Sequence, residues 1–432
     1  MIVQRSQPAR AVAHAIYILI GLSWAASAKA APPKLPHAPP EQARMSASQL
    51  DAIDAAVAAG IAEGQMPGCV ALVARQGKIV FLKAYGHRGL EPDPVEMTTD
   101  TLFDLASLTK PIATATSIML LVEQRRLMLD DPIAKHWPEF GQQDKGRITV
   151  RQLLTHQGGL IADNDIEDYA DGPTKALERI AAVAPQVEPC TRFIYSDVGF
   201  IALGELVRRI AGQNLNGFAA ENIFQPLGLA ETGFLPSGES RRRAAPTERR
   251  AGVWMRGEVH DPRCFALGGV AGHAGLFSTA EELAVYAQML LNRGEYAGTR
   301  VLSPETVATM TAPEEVPGGS MRALGWDVRS GYSSNRGQGF SKTAFGHGGF
   351  TGTSLWVDPE LELIVIFLSN RLHPDGKGNV NPLAGRIGMI AAAAISPPDD
   401  KSPLAPESLR GQAKVSPLPA GRDGRRLQDG QP

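Results

Sequence analysis

Apolar residues recur at Leu50, Ile53, Val57 and Ile61 within "SASQLDAIDAAVAAGIAEG", the spacing of a helix that buries one face. The period then changes. "GCVALVARQGKIVFLKAYG" sets two apolar, β-branched runs on either side of "RQGK", which predicts a β-hairpin. From about 103 to 320 the helical period dominates, with long loops, and helices are expected over 107–127, 149–155, 198–211 and 279–292. Ser278 or Thr279 is the expected cap of the last, with Glu281 or Glu282 completing a capping box. "GTSLWVDPELELIVIFLSN" predicts a second hairpin around "DPEL". "NPLAGRIGMIAAAAI" predicts a closing helix with Asn381 as cap and Pro382 in its first position.

Strands and their packing helices therefore lie at both ends of the chain, with a helical block between. The expected fold class is α+β: an antiparallel sheet flanked by N- and C-terminal helices, with an all-helical subdomain inserted over about 105–320. The cleft between the two parts is the default site. No internal repeat is visible.

The chain termini differ in composition. Arg5 and Arg10 precede the apolar run "AVAHAIYILIGLSWAA", and "AKA" follows at 28–30. Residues 1–30 read as an export signal cleaved to give a periplasmic protein; an uncleaved membrane anchor is the alternative. The Pro- and Ala-rich residues 31–44 read as a flexible linker, 45–395 as the folded domain, and 396–432 as a disordered tail.

Composition narrows the function. With 43% hydrophobic and 20% charged residues the chain affords a large core. Its formal charge of −2 offers no basic field, so nucleic acid is not an expected partner. Cys69, Cys190 and Cys264 are an odd count without metal-ligand spacing, so they are expected to be small buried hydrophobes with at most one bridge.

The candidate chemistry begins in "FDLASLTKPIATATSIMLLVEQ". Ser107 and Lys110 stand three apart, one helical turn, so they share a face in the first turn of the expected helix. A serine hydroxyl is a poor nucleophile until a neighbour takes its proton, and a lysine amine does so when its pKa is lowered. Unpaired N–H groups of the first turn, including that of Ser107, can hold an oxyanion. S-x-x-K alone is weak, since a chain of this composition contains about one by chance. Taken alone, the motif is better explained by a capping serine beside a solvated lysine. Two further stretches add weight: "YSD" puts Tyr195, Ser196 and Asp197 just before a helix, and "GHGGF" puts His347, Gly348 and Gly349 where the chain enters a strand. In "VHDPRCFALGGVAGHAGLF", His260, Asp261 and His273 are expected in a glycine-rich loop near the cleft, not around a metal. His156 is expected to be a loop hydrogen-bonder, and "RRRAAPTERR" at 241–250 a solvated loop, with contact to anionic envelope polymers as the alternative.

Taken together, "LFDLASLTKPIATA", "ITVRQLLTHQGGL", "FIYSDVGFIALGELV", "PLGLAETGF", "GGVAGHAGLFSTAEELAVYAQMLLN" and "GHGGFTGTSLWVDP" strongly resemble the serine β-lactamase and penicillin-binding-protein superfamily over residues 46–393. The nearest branch is that of class C β-lactamases, D-alanyl-D-alanine carboxypeptidases and family VIII esterases. The resemblance implies acylation of Ser107 with Lys110 as its proton partner. It makes Tyr195 a second acid/base, the N–H groups of Ser107 and Phe350 an oxyanion hole, and His347 the group facing a substrate carboxylate. It implies no metal or cofactor, and a small-molecule or peptidoglycan-peptide substrate. Two departures stand out. Asp197 replaces a frequent asparagine, and a carboxylate there favours the charged form of Lys110. His347 replaces a frequent lysine, so its charge depends on protonation. Both argue against an efficient β-lactamase. The expected activity is D,D-carboxypeptidase-like, with carboxylesterase or weak β-lactamase, and a non-catalytic sensor, as alternatives.

Overall fold

The computed structural model describes residues 32–396. The expected export signal and the expected tail, from 397 on, lie outside the described residues.

Nine strands form the main sheet, every neighbouring pair antiparallel. In chain order they are β1 (Gly68–Arg75), β2 (Lys78–Gly89), β3 (Val95–Glu96), β4 (Glu314–Val316), β5 (Ser320–Arg322), β6 (Asp327–Arg329), β7 (Phe345–Gly349), β8 (Thr353–Asp358) and β9 (Leu363–Ser369). Their order in space is β4-β5-β6-β7-β8-β9-β1-β2-β3, so the central pairing β9–β1 joins the two ends of the chain. The β1–β2 turn is Gln76-Gly77, with φ of 53° and 73°. Two successive positive φ values suit the twist of a two-residue hairpin, and glycine takes the second without strain. At the other predicted hairpin, Asp358 Oδ1 accepts from the N–H groups of Glu360 and Leu361, which closes the β8–β9 turn.

Both faces of the sheet are covered, which is why its central strands read as continuous apolar runs. Val70, Leu72 and Ala74 face a large core shared with the helical block. Cys69, Ala71 and Val73, alternating with them, face a second core. That core is closed by helices α1 (Ala52–Ala62) and, from the far end of the chain, α5 (Asn381–Ala393). Between β3 and β4 come α2 (Thr116–Glu123), α3 (Asp197–Ala211) and α4 (Ala280–Leu291), with other helices among them.

Several expectations need correction. The segment read as a linker is packed: Leu35 is buried, Ala38 N–H donates to Ile79 O, and Lys34 pairs with Glu281 at 2.9 Å. The inserted block is not all helical. It holds a three-stranded sheet of Phe103–Asp104, Leu276–Ser278 and Gly233–Phe234, and its end supplies β4 and the start of β5. Strands of two or three residues are too short to leave a period in the sequence. Thr279 caps α4, but Glu282 does not complete a box; its carboxylate accepts from Glu231 N–H and the Thr232 hydroxyl. Asn381 is the first helical residue of α5 and not its cap; its own N–H donates to the Asn379 side chain. The arginine run 241–250 is a helix end and a strand whose guanidinium groups meet Glu231, Glu239, Glu91 and Glu258. Cys69 and Cys264 are buried, Cys190 is exposed, and all three are free thiols.

Candidate active site

Ser107 sits on a 3-10 turn, Ala106–Leu108, and not in the first turn of a plain α-helix. The turn is strained where it begins: Ala106 has φ 45°, a left-handed conformation that a side chain disfavours. Tertiary contacts hold it there. The buried Asp104 carboxylate accepts from Ala106 N–H at 2.9 Å and from His260 N–H at 2.7 Å. Thr351 and Thr353 hydroxyls donate to the carbonyls of Asp104 and Leu105. Lys110 then opens a π-helical segment, Lys110–Ala115, before the chain settles into α2. Such widened turns recur at functional sites because they re-aim side chains.

Lys110 is fully buried and lies at the centre of the site. Its ammonium donates to Ser107 Oγ at 3.0 Å and to the carbonyl of His273 at 3.1 Å, and it meets Asp197 Oδ1 at 2.6 Å. Burial alone would lower the pKa of this lysine, but the Asp197 carboxylate, followed by Tyr195, outweighs that cost and raises it above the ordinary value. At neutral pH the amine is therefore charged, as the aspartate in "YSD" suggested. Asp197 is delivered at the start of α3, where Ser196 caps the helix by accepting from Gly199 N–H.

Tyr195 lies with its ring 4.9 Å from the Lys110 ammonium and its hydroxyl hydrogen-bonded to Ser107 and Lys110. Burial raises its pKa, with Lys110 opposing, so the phenol keeps its proton. His156 is the loop hydrogen-bonder that was expected. Its ring stacks 4.4 Å from Tyr195, and its Nδ1 accepts from Ser196 N–H at 3.0 Å, which sets the loop carrying both Tyr195 and Asp197.

The sheet forms the other wall. β7 carries His347, Gly348 and Gly349 along the edge of the nucleophile turn. A Cβ on Gly349 would stand 2.2 Å from Thr353 Oγ1 and 2.4 Å from Leu105 O, so only glycine lets the strand approach this closely. His347 is buried, and burial, then the charges of Arg322 and Lys110, push its pKa well below the ordinary value. Its Nδ1 contacts Gly348 O at 2.7 Å. A carbonyl only accepts, so Nδ1 carries the hydrogen and Nε2 is a bare acceptor. The expected role of His347 against a substrate carboxylate therefore loses its charge. Phe350 follows in the turn after β7, with its ring 62% exposed between His260 and Arg371.

These residues enclose a cavity of about 380 Å³ lined by Ser107, Tyr195, His347, Gly348, Gly349 and Phe350. Lys110 and Asp197 lie beneath it. The sequence reading missed several further residues of its lining: Arg322, Asp327, Tyr332, Asn335 and Arg371. Arg322 and Asp327 sit on strands of three residues, and no local pattern marks them.

The loop expected near the cleft is there. His273 Nε2 lies 2.8 Å from Asp261 Oδ1, and its carbonyl accepts from Lys110. Asp197, Asp261 and His273 offer ligand atoms within 4.8 Å of one another, a set that could hold a cation. Each is already engaged, Asp197 with Lys110, His273 with Asp261, and Asp261 also with Cys264 N–H. His260 stands apart from that set, against Glu248.

The model of the family described as Beta-lactamase matches residues 53–388. Among curated proteins, the chain is 33% identical over 415 residues to an Escherichia coli K12 protein named "Putative D-alanyl-D-alanine carboxypeptidase", covering 87% of this chain and 94% of that one. It is 32% identical over 386 residues to the N-acetylmuramyl-L-alanine amidase of Bacillus subtilis, covering 80% and 87%. Among solved structures, a penicillin-binding protein homologue from Caulobacter crescentus superposes with a TM-score of 0.66 at 23% identity, over 81% of this chain and 98% of that one. At that identity the likeness concerns the fold. The extent of the family match and the identity to the curated relatives settle the assignment: this chain belongs to the Beta-lactamase family of serine hydrolases.

Proposed function

We propose that the protein is an exported acyl-transferring hydrolase that works through an acyl-enzyme on Ser107 and acts on D-alanine-containing peptides of the cell wall as a D,D-carboxypeptidase. The observation that carries this reading is the position of one buried ammonium, Lys110, bonded to Ser107 Oγ on one side and paired with Asp197 on the other, beneath a cavity floored by Ser107.

The resting charges dictate the order of proton movements. Lys110 is charged and cannot accept a proton until it loses one. The 2.6 Å contact lets its proton pass to Asp197 once substrate excludes water. The neutral amine then takes the Ser107 proton across 3.0 Å as Oγ attacks the substrate carbonyl. The N–H groups of Ser107 and Phe350 hold the oxyanion. Tyr195 gives its proton to the leaving amine and recovers one from Lys110. Water, deprotonated by the same Tyr195–Lys110 pair, releases the acyl group.

Amide cleavage in a muramyl peptide is a second reading. It is supported by the B. subtilis relative's name and by two exposed rings at the cavity, Phe350 and Tyr332, which suit a sugar face. Esterase activity needs only an easier leaving group. Export rests on the composition of residues 1–30.

The test is intact-protein mass spectrometry after incubation with a fluorescent penicillin and, separately, with p-nitrophenyl butyrate, on wild type and Ser107→Ala. Acylation by penicillin confined to wild type is expected. Hydrolysis that survives Ser107→Ala would refute the nucleophile. Ester turnover without any penicillin adduct would move the assignment to an esterase.

A further inference from the structure

His260, Asp261 and His273 take no part in the proton movements above, yet they meet both halves of the Ser107–Lys110 couple. His260 N–H donates to Asp104 Oδ2 at 2.7 Å, and Asp104 Oδ1 holds the N–H of Ala106, the neighbour of Ser107. The next residue, Asp261, reaches the other half. Its Oδ1 lies 2.8 Å from His273 Nε2, and the main-chain carbonyl of His273 accepts from Lys110 at 3.1 Å. Two consecutive residues far along the chain thus brace the nucleophile and its lysine together.

The loop that carries His273 does not hold that carbonyl by its own stiffness. Gly268 and Gly275 take φ of 84° and 111°, conformations that rely on glycine and its wide freedom. Contacts must fix it. The carbonyls on either side are tied: the Thr114 hydroxyl donates to Gly272 O at 2.7 Å, and Cys264 Sγ lies 3.1 Å from Ala274 O. His273, between them, is tied through its ring. The ring is buried and its Nδ1 makes no hydrogen bond, so Asp261 orients it. A carboxylate accepts, so Nε2 carries the hydrogen. Asp261 is itself fixed, because the same oxygen accepts from Cys264 N–H at 2.6 Å and caps the short helix Pro262–Ala266.

What the carbonyl does follows from the valence of nitrogen. Once Lys110 has passed a proton to Asp197, its amine keeps two N–H groups and one lone pair. It takes the Ser107 proton only when the lone pair faces Oγ, so both hydrogens must be turned elsewhere. The His273 carbonyl accepts one of them and is no base, so it sets the rotation of the amine without competing for the proton. The Tyr195 hydroxyl, bonded to Lys110, receives the other.

We propose, resting on the acyl-transfer reading above, that Asp261 and His273 are positioning residues for the catalytic lysine. Their hydrogen bond clamps the loop carbonyl that turns the Lys110 lone pair toward Ser107. The bond, and not the charge of Asp261, does the aligning. Neither residue touches substrate; both act through Lys110.

The experiment follows acylation by a fluorescent penicillin with intact-protein mass spectrometry, which separates the saturating rate, the half-saturating concentration and the final stoichiometry. Hydrolysis of p-nitrophenyl butyrate and melting temperatures are measured in parallel. The variants are His273→Leu, His273→Gln, Asp261→Ala and Asp261→Asn. His273→Leu and Asp261→Ala should lower the saturating rate by about 10–100-fold, the scale of a small misplacement of a reacting group, and leave the half-saturating concentration within about twofold. Every molecule should still acylate in the end, which a partly unfolded preparation would not do. His273→Gln can still donate to Asp261, and Asp261→Asn can still accept from His273 and Cys264, so each should be several-fold faster than its apolar counterpart. A His273→Leu protein that melts and acylates like wild type would overturn the clamp. So would an Asp261→Asn protein as slow as Asp261→Ala, which would give the role to charge. If His273→Leu does not fold, the two Asp261 variants decide by that same comparison. Reaction that survives Ser107→Ala would instead overturn the acyl-enzyme reading, and a wild type inert to both probes would overturn both.

Discussion

Replacing Asp197 by asparagine keeps the shape of the site and removes the charge that holds Lys110 protonated. The pair is close, 2.6 Å, and the lysine has no solvent of its own. Opposite charges about 4 Å apart at an effective dielectric near 20 attract by about 4 kcal/mol. Without the carboxylate, burial becomes the dominant influence and drives the Lys110 pKa down. The variant must begin each turnover with an amine already neutral, because it has nowhere local to send the proton. Its kcat/KM should therefore climb about tenfold per pH unit up to the lowered Lys110 pKa, while wild type stays flat through the neutral range. At neutral pH the variant should be slower by roughly 10–100-fold. Stability follows the same sign. The folded pKa of Lys110 is raised, so the contribution of the pair is complete below the unfolded value near about 10.5 and fades as pH rises through the folded one. The variant should thus melt several degrees below wild type at pH 7, with the gap closing in strong alkali. A pH–rate profile of penicillin acylation for both proteins decides the matter. An Asp197→Asn profile that is flat and equal to wild type from pH 6 to 9 would refute Asp197 as the proton acceptor.

Three other outcomes are expected. His156 and His347 are both held neutral by burial, so the unfolded chain takes up protons that the folded one refuses; stability should fall as pH drops below about 6.5, by up to about 1.4 kcal/mol per unit for each ring, and His156→Gln should flatten that slope in a melting series. Gly349→Ala must part β7 from the Leu105 carbonyl and should cost about 1–3 kcal/mol together with most acylation, read by melting and by adduct mass; a fully active variant would contradict the close approach. An aromatic disulfide reagent should titrate Cys190 in the native protein and Cys69 and Cys264 only on unfolding, and reductant should leave the melting temperature unchanged.

The two strand-rich ends of the chain were legible because their signal is local. Gly68–Arg75 and Leu363–Ser369 are runs of apolar and β-branched residues bounded by turn chemistry, and α1 keeps one apolar stripe, while α3 and α4 are buried around most of their circumference. The 32–44 segment misled because its prolines fit a linker equally well, and only the Ile79 and Glu281 contacts pin it.

By itself the sequence determined that a serine and a lysine stand three apart where a helical segment begins, that a tyrosine and an aspartate stand at the start of another, and that glycines follow a histidine where the chain enters a strand. Each is a matter of spacing within a few residues. What only the tertiary structure decided is their electrical state and their company. Whether Lys110 is a base or an ammonium depends on Asp197, 87 positions away and 2.6 Å distant. Whether His347 carries charge depends on its burial beside Arg322. Arg322 itself lies in a strand of three residues, where no periodicity can announce it. Propensity and pattern act along the chain, whereas protonation and unsatisfied hydrogen bonds are set by neighbours that only the closed fold brings together.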